Sequence, residues 1–309
     1  MSSRTESEIM QAWGSSREPL LSIACPTYNH EGYIAQTLDS FLAQETTFPF
    51  EVLVNDDAST DGTAAIVADY GRRYPNIIKP ILQPVNQYQK GNHPCPDLFR
   101  KGSGKYLAFC EGDDFWTDPL KLQKQVDFLE AHHDYVITYH DAMAFDSEGP
   151  KGIQLVGEGQ RDASSLELMR GRPISTLTVC FRNVLHELPL ELVRAPLNDL
   201  VWWALLGAYG KGKYLADIQP AAYRVHLGGV FSMRSDKKKL QMTLHTYSSL
   251  ANYYFRIGNQ ALYEHCLVQV FCLSLSAISP WQKLTALAQM GRNIAANLLR
   301  RLSASVSRG

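Results

Sequence analysis

The sequence predicts an α/β protein with a mostly parallel sheet flanked by helices and a helical C-terminal appendage. Three observations lead to this class. Short apolar runs alternate with amphipathic segments through the first half of the chain, each apolar run ends in polar residues, and the pattern from about Met233 onward is helical only. Strand–helix alternation is typical of parallel sheets whose strands are joined by right-handed crossovers.

The first half of the chain contains three predicted strands. The run PLLSIAC is stopped by Pro26, which suits a buried strand, and Asn29 can then cap a helix whose apolar residues recur every three or four positions. FEVLVNDD predicts the second strand, and STDGTAAIVADYGRRY predicts the helix that follows it. NIIKPILQ predicts a third strand, in which Pro80 favours an edge position or a bend.

The middle of the chain continues the alternation. KYLAFC predicts a strand, and TDPLKLQKQVDFLEAHHD predicts a helix with Asp118 as its N-cap and Pro119 at its first position. DYVITYHDAMAFD predicts a strand, and residues 147–165, which are rich in glycine and charge, predict a mobile loop. LNDLVWWALLGAYG predicts a helix closed by Gly210, and KYLADI predicts the strand after it.

The composition argues against several classes of protein. A net charge of -1 gives no sign of a nucleic-acid partner. The six cysteines are scattered without a CxxC pair, so we expect neither a disulfide scaffold nor a zinc knuckle, and a reducing compartment fits best. The N-terminus lacks the apolar core of a signal peptide, and the longest uncharged run falls short of the ~20 apolar residues that span a bilayer. We therefore expect a cytoplasmic protein.

Polar segments follow three of the predicted strands. PTYN follows the first strand, NDDAS follows the second, and EGDD follows KYLAFC. In a parallel sheet of this kind, ligands bind at the carboxyl ends of the strands. The three segments therefore predict a site on one rim of the sheet.

The segment EGDD places two carboxylates side by side. Asp113 and Asp114 can be solvated caps between a strand and a helix, although Asp118 already fills the capping role. Adjacent carboxylates repel each other unless a cation lies between them. Mn²⁺ or Mg²⁺ accepts such hard oxygen ligands and completes its shell with phosphate oxygens and water. The pair therefore predicts a divalent-metal site.

The other two rim segments offer contacts for a nucleoside. Asp57 follows the second strand, where its carboxylate can accept hydrogen bonds from a ribose hydroxyl or a base N–H. Tyr28 can stack its ring on a base, or it can be a half-buried rim residue without that role.

Together the motifs SIACPTYN, EVLVNDDASTDGT and CEGDDFWTDPLKLQKQ resemble those of the family 2 glycosyltransferases, which have the Rossmann-like GT-A fold. The resemblance covers roughly residues 20–130 well and extends more weakly to about residue 230. It is specific because three separate motifs fall in the same order and register. The nearest resemblance is to bacterial enzymes that build surface polysaccharide.

The resemblance implies a division of the chain. We expect a flexible N-terminal extension at residues 1–18, a GT-A catalytic domain at residues 19–232 and a helical region at residues 233–309. Within the catalytic domain, residues 19–118 correspond to the nucleotide-binding half and residues 119–232 to the acceptor half.

The resemblance also implies which residues bind the donor and the metal. Asp57 corresponds to the position that holds the nucleobase. Asp113 corresponds to a carboxylate near the ribose and diphosphate, and Asp114 is favoured as the direct metal ligand. The sequence reads Glu-Gly-Asp-Asp rather than Asp-x-Asp, which leaves the ligand open between the two aspartates. The remaining donor-binding positions are in PTYN, namely Pro26, Thr27, Tyr28 and Asn29.

Two later segments resemble further parts of the family's site. PLNDLVWW places Asp199 at a helix start, where relatives carry the catalytic base, although the residue can also serve only to cap its helix. YRVHLGGVFS places His226 where relatives have a histidine near the metal or diphosphate, and Arg224 where a phosphate contact is expected. A lone histidine can equally be structural.

The implied chemistry is an inverting, metal-dependent sugar transfer. Asp199 takes the proton of an acceptor hydroxyl, which displaces the nucleoside diphosphate from the sugar in one step. An aspartate with an unperturbed pKa near ~4 is ionised at neutral pH, so we expect Asp199 to need no tuning.

Two other functions are alternatives to sugar transfer. The chain can be a nucleotide-sugar binding module without catalysis, in which Asp199 is structural. A nucleotidyltransferase is disfavoured, because PTYNHEGY has one glycine and no cation for a phosphate-binding loop.

The partners are predicted only by class. We expect a UDP-sugar or dTDP-sugar donor and a saccharide or lipid-linked saccharide acceptor. The chain contains no Arg-Trp pair, which marks the processive members of the family, so a single-addition enzyme fits better. The tail KLTALAQMGRNIAANLLRRL alternates apolar residues with cations and predicts either peripheral contact with an anionic membrane or a helix packed on the domain.

Overall fold

The computed structural model describes residues 4–153, 159–185, 187–226 and 234–279, together with isolated positions in the C-terminal tail. It divides into two compact units, Met1–Arg234 and Ser235–Gly309. The division falls close to the predicted boundary between residues 232 and 233.

Ten strands lie in the described part of the chain and form two sheets. The larger sheet has the order β3-β2-β1-β4-β8-β5-β9, and the smaller has the order β10-β6-β7. In chain order, the strands are β1 (Leu21–Thr27), β2 (Phe50–Asp56), β3 (Ile78–Leu82), β4 (Tyr106–Phe109), β5 (Tyr135–Tyr139), β6 (Ala142–Asp146), β7 (Gly149–Ile153), β8 (Cys180–Arg182), β9 (Lys211–Tyr214) and β10 (Ala221–Arg224).

The larger sheet is mostly parallel, as predicted. Strands β1, β2, β3 and β4 are parallel to their neighbours in this group, and only β8 runs antiparallel, to β4 and β5. Thr27 at the end of β1 pairs with Asp56 at the end of β2. The polar segments after these strands therefore begin side by side. Strand β3, which contains Pro80, lies at the edge that the proline favoured.

Helices connect the strands and cover the sheet. One buried cluster combines side chains of the strands, such as Ile23 and Val52, with side chains of the helices, such as Leu38, Val67 and Leu122. The helices of the described residues are α1 (Glu6–Gln11), α2 (Ile34–Leu42), α3 (Thr63–Arg73), α4 (Pro94–Lys101), α5 (Lys121–Ala131), α6 (Ser165–Met169), α7 (Asn198–Leu206), α8 (Asp236–Arg256) and α9 (Gln260–Ala277).

Two helix ends differ from the predictions. Helix α5 begins at Lys121 rather than Pro119, and Asp118 accepts a hydrogen bond from the Leu120 N–H (2.9 Å), which supports the turn before the helix. Helix α7 ends before the predicted Gly210, because Gly207 already occupies its C-cap.

The N-terminal segment also differs from the flexible extension expected at residues 1–18. Over its described part, helix α1 starts with a capping box between Thr5 and Glu8. Ile9 and Trp13 are buried in the main core, and the indole N–H of Trp13 donates to Thr46 Oγ1 (3.0 Å). Burial of these two apolar side chains outweighs the cost of ordering a short, polar-looking segment.

The expected mobile loop at residues 147–165 contains a strand. Strand β7 pairs antiparallel with β6, and β10 pairs parallel with β6 on its other side. Residues 154–158 of the expected loop lie outside the described residues. Phe115 and Ala222 exchange two backbone hydrogen bonds (3.2 and 2.9 Å), which anchor β10 beside the turn that follows β4.

The C-terminal unit begins with a helical hairpin, in agreement with the predicted helical region. Helices α8 and α9 pack against each other and are joined by the short turn Ile257–Asn259, so they run antiparallel. None of the helices in the described residues has both the length and the apolar character needed to cross a bilayer.

A lysine is fully buried in the first turn of α5. Lys121 donates to Gln125 Oε1 (2.7 Å), and its ammonium lies 4.1 Å from the centre of the Trp116 ring. Burial disfavours the charged form and lowers the pKa of Lys121 to about 8. The ammonium group is therefore a built-in cost to folding at neutral pH.

This cost predicts a pH-dependent stability. Between pH 8 and 10.5 the folded chain releases the Lys121 proton while the unfolded chain keeps it, so stability rises with pH through this window. The free energy of unfolding of the wild type, measured by urea denaturation against Lys121→Met, should rise by about 3 kcal/mol across it. Lys101→Met, at an exposed position, is the control: it keeps Lys121, so its free energy of unfolding should differ from that of the wild type by a constant amount across the window. A constant difference between wild type and Lys121→Met would contradict the assignment.

Candidate active site

The turn after β4 approaches the end of β1 very closely. The Gly112 N–H donates to the Pro26 carbonyl (3.0 Å), and a Cβ at Gly112 would lie 2.5 Å from Thr27 Oγ1. Only glycine fits at this distance, which explains the Gly between Glu111 and Asp113. The close approach brings the carboxylates of the turn to the rim formed by β1 and β2.

Asp113 faces two histidines. Its Oδ2 atom lies 2.8 Å from His226 Nε2 and 3.7 Å from His30 Nε2. One potential ligand atom from each of these three side chains lies within 4.8 Å of the others. Burial by itself raises the pKa of Asp113, but the hydrogen bond with His226 and the electrostatic influence of His30 and His226 more than offset it and lower the pKa. Asp113 is therefore held as a carboxylate.

His30 was not singled out from the sequence. It directly follows PTYN, and the signal that could have found it is the presence of a metal-binding residue type just after a strand end on the predicted rim. Its N–H donates to Thr63 Oγ1 (2.8 Å), and its Nδ1 lies 3.1 Å from Thr27 Oγ1. Burial lowers the pKa of His30, which favours the neutral imidazole.

Asp114 bonds to the backbone of β10 instead. Its Oδ1 accepts a hydrogen bond from the Arg224 N–H (2.7 Å), and only 2% of the residue is exposed. Burial, together with the negative charges of Asp113 and Glu111, raises the pKa of Asp114 well above its usual range. Asp114, the direct metal ligand expected from the sequence, thus bonds to the backbone of β10, whereas it is Asp113 that faces the two histidines.

Arg224 braces the turn. Its guanidinium carbon lies 4.5 Å from the ring centres of both Tyr33 and Phe145. Its Nε donates to the Asp113 carbonyl (2.8 Å), and its Nη2 donates to Gln36 Oε1 (2.7 Å). These contacts fix the backbone of the carboxylate turn, whereas a phosphate contact was the role expected from the sequence.

Asp57 anchors a neighbouring loop. It is buried, and its two carboxylate oxygens accept from the Gln87 N–H (2.7 Å) and the Tyr88 N–H (3.0 Å). Each oxygen retains a second acceptor position. Tyr28 lies on the same rim with 36% of its surface exposed, so its ring is accessible to a ligand.

Asn29 joins the loops that follow β1 and β2. It adopts a left-handed conformation (φ 54°), its N–H donates to Ser59 Oγ (2.9 Å), and its side-chain oxygen accepts from the Thr60 N–H (2.8 Å). Asp56 accepts in turn from the Ser59 N–H (3.1 Å). An asparagine tolerates this conformation better than most residues. PTYN therefore provides the framework of the rim.

Asp199 lies in the first turn of α7, near a second carboxyl group. Burial raises the pKa of Asp199, which differs from the unperturbed value expected from the sequence. Burial also raises the pKa of Glu111, to about 8, with further contributions from Asp113 and Asp199. Glu111 accepts from the Thr176 hydroxyl (2.9 and 3.1 Å). The site thus combines one carboxyl group whose pKa is lowered, Asp113, with three whose pKa values are raised, Glu111, Asp114 and Asp199.

Comparisons with known proteins identify the family. Residues 22–182 match the family model described as Glycosyl transferase family 2. The chain belongs to glycosyltransferase family 2. The family predicted from the three motifs is therefore confirmed, and the matched residues include the ends of β1, β2 and β4 with the polar segments that follow them.

Two curated relatives illustrate the similarity. An uncharacterized protein of Mycobacterium tuberculosis is 36% identical over 229 residues, which are 72% of this chain and 64% of that protein, so the match spans less than two thirds of the relative's length. A Bacillus subtilis protein named as a teichuronic acid biosynthesis glycosyltransferase, TuaG, is 27% identical over 206 residues, which are 65% of this chain and 79% of that protein.

Two solved structures share the fold. S. aureus TarS in complex with UDP-GlcNAc superposes with a TM-score of 0.54 at 20% identity, covering 74% of this chain and 66% of TarS. The mannosyltransferase PcManGT from Pyrobaculum calidifontis, in complex with GDP-Man and Mn²⁺, gives a TM-score of 0.55 at 16% identity, covering 94% of this chain and 87% of that protein. These likenesses, with the mostly parallel sheet, confirm the GT-A fold.

The close approach at Gly112 generates a test of the rim. We expect Gly112→Ala to lower the free energy of unfolding by about 1–3 kcal/mol, because its Cβ would collide with Thr27 and Ile34. Urea denaturation measures the change. Gly32→Ala is the matched control, since a Cβ there meets nothing within 4 Å. Equal stabilities for the two variants would show that the turn does not approach β1 as described.

Proposed function

We propose that this glycosyltransferase transfers a sugar, with inversion, from a UDP-sugar or dTDP-sugar to a hydroxyl of a glycan or lipid-linked saccharide in cell-surface polysaccharide synthesis, using Mn²⁺ or Mg²⁺. The observation that carries the proposal is the meeting of Asp113 with His226 on the rim where β1, β2 and β4 end. The family membership and the surface-polymer role in the name of TuaG support it.

The donor is proposed to lie along the rim. Tyr28 offers an accessible ring for the base, and Asp57 has remaining acceptor positions for a base N–H or a ribose hydroxyl. Pro26, Thr27 and Asn29 hold the backbone against which the nucleotide would bind. The structures of TarS with UDP-GlcNAc and of PcManGT with GDP-Man support a nucleotide-sugar donor.

The side chains at the rim fit a divalent ion. Asp113 and His226 would hold it, since their ligand atoms already face each other and are only partly buried. When bound, the ion supplies positive charge against the diphosphate, whose negative charge grows as the bond to the sugar breaks.

Asp199 is proposed as the general base. A raised pKa makes its carboxylate a better proton acceptor than an exposed aspartate, provided that the pH stays above that pKa. The acceptor hydroxyl, once Asp199 takes its proton, displaces the nucleoside diphosphate from the opposite face of the sugar. A single displacement inverts the anomeric carbon and needs no covalent nucleophile.

The C-terminal unit supports a peripheral membrane location for an otherwise cytoplasmic protein. Ser235–Gly309 contains nine lysines and arginines but only two carboxylates, although the whole chain has a net charge of -1. Leu267, Val268 and Phe271 are exposed on α9. Basic charge beside exposed apolar side chains suits an anionic leaflet. The tail helix predicted after Trp281 lies largely outside the described residues.

The base assignment predicts a loss of turnover. Asp199→Asn should lower donor turnover roughly 10²–10⁴-fold, because the acceptor hydroxyl loses its proton acceptor. Donor-induced thermal stabilisation in the presence of Mn²⁺ should persist. Asp134→Asn, at an exposed ion pair, is the control. Full turnover by Asp199→Asn would exclude it as the base, and a wild type that binds donors but transfers nothing would favour the alternative, a catalytically inactive binding module.

The charge of the C-terminal unit predicts selective vesicle binding. The protein should sediment with phosphatidylglycerol vesicles at low salt and be released at high salt, because surface charges are screened. Replacing Lys237, Lys238 and Lys239 together by Gln should weaken sedimentation, whereas Lys101→Gln should not. Equal sedimentation with zwitterionic phosphatidylcholine vesicles, which carry no net charge, or no sedimentation with either kind of vesicle, would refute an electrostatic membrane contact.

A further inference from the structure

We propose that His30 is a third protein ligand of the metal site, so that two imidazoles and one carboxylate bind a transition-metal ion such as Mn²⁺ or Co²⁺ in preference to Mg²⁺, before any nucleotide is present. This proposal rests on the proposed function only because both place the metal at the same rim. What is added is the set of residues that bind the ion and the kind of ion that they select.

The first observation is convergence. His30 follows β1, Asp113 follows β4 and His226 follows β10, so three distant segments deliver one ligand atom each to the same spot. Within the described residues, this is the one group of three histidine, cysteine, aspartate or glutamate side chains that could hold a metal ion. The rings of His30 and His226 lie 5.9 Å apart and nearly perpendicular, so the two do not stack face to face.

The second observation is that two threonine side chains hold His30 in place. In the tautomer whose Nδ1–H donates to Thr27 Oγ1 (3.1 Å), Nε2 carries its lone pair on the side of Asp113. The Thr63 hydroxyl holds the backbone of the same residue (2.8 Å). Metal-binding histidines usually donate their other ring N–H to such a partner, which fixes the tautomer and the ring orientation.

The composition of the ligand set determines the metal. Mg²⁺ prefers oxygen ligands and keeps much of its water, so two imidazoles suit it poorly. Imidazole nitrogen suits the first-row transition metals, for which affinity rises from Mn²⁺ towards Cu²⁺. Three protein ligands also reduce the dependence on phosphate oxygens, which would otherwise complete the shell. The site should therefore bind Mn²⁺ without a nucleotide.

A purely structural role is the competing explanation. In the opposite tautomer the Thr27 hydroxyl donates to Nδ1, and Nε2–H of His30 donates towards the Asp113 carboxylate. His30 would then orient Asp113 and leave the ion with fewer imidazole ligands. The two explanations differ in the number of nitrogen atoms bound to the metal.

Electron spin-echo envelope modulation of the wild-type protein with Mn²⁺ and no nucleotide measures the number of nitrogen atoms bound to the metal. Coupling to two imidazole nitrogens is the expected result, and coupling to one or none would overturn the proposal. The measurement uses the intact protein and so does not depend on how a variant folds.

Calorimetric titration with Mn²⁺ and with Mg²⁺ tests the selectivity. The wild type should bind Mn²⁺ at least about tenfold more tightly than Mg²⁺. His30→Ala should weaken Mn²⁺ binding at least about tenfold and change Mg²⁺ binding less. His133→Ala, at an exposed histidine, should match the wild type. Unchanged Mn²⁺ affinity in His30→Ala, or equal affinity of the wild type for both ions, would overturn the proposal.

These readouts separate the two proposals. Two-imidazole coupling in a protein that turns over no nucleotide-sugar would support the metal site and refute the transferase function. Metal-dependent transfer by a protein in which Mn²⁺ couples to a single imidazole would do the reverse.

Discussion

The structure depends on how three neighbouring carboxyl groups share the turn after β4. Mutual repulsion and burial would make three charges there very costly. Glu111 and Asp114 respond with raised pKa values, whereas Asp113, next to His226 and His30, has a lowered pKa. The turn therefore contains one carboxylate that stays charged at the rim. A site that binds a cation needs one carboxyl group to stay ionised beside others that do not. The difference between the pKa values arises from the partners of each side chain rather than from the cluster as a whole.

Contacts between residues far apart in the sequence give the three carboxyl groups these different pKa values. The N–H of Arg224 engages Asp114, and the Arg224 guanidinium, packed between Tyr33 and Phe145, holds the carbonyl of Asp113. Gly112 allows the turn to approach β1 closely enough for His30 to reach the same point. Because the strands and the packed Arg224 side chain fix these groups, the proposed metal site would need little rearrangement to receive an ion, and such preorganisation is the condition for effective electrostatic catalysis.

The sequence predicted the fold class, the rim and the family, because alternating apolar runs and the polar residues at strand ends are local signals. It did not distinguish Asp113 from Asp114, since adjacent residues in a turn face different directions and their partners lie about 110 positions away, in β10 and just after it. His30 was missed for the same reason. The helix at the N-terminus was not predicted, because two apolar residues in a polar segment give a weak signal. The raised pKa of Asp199 was not predicted either, because it depends on burial that no local pattern reveals.

Anomalous X-ray diffraction from crystals grown with Mn²⁺ and UDP tests most directly whether Asp113, rather than Asp114, binds the ion. We predict a single strong manganese peak within ~2.0–2.3 Å of an Asp113 oxygen and of His226 Nε2. A peak coordinated by Asp114, or the absence of any peak at this rim while UDP is bound, would contradict the account.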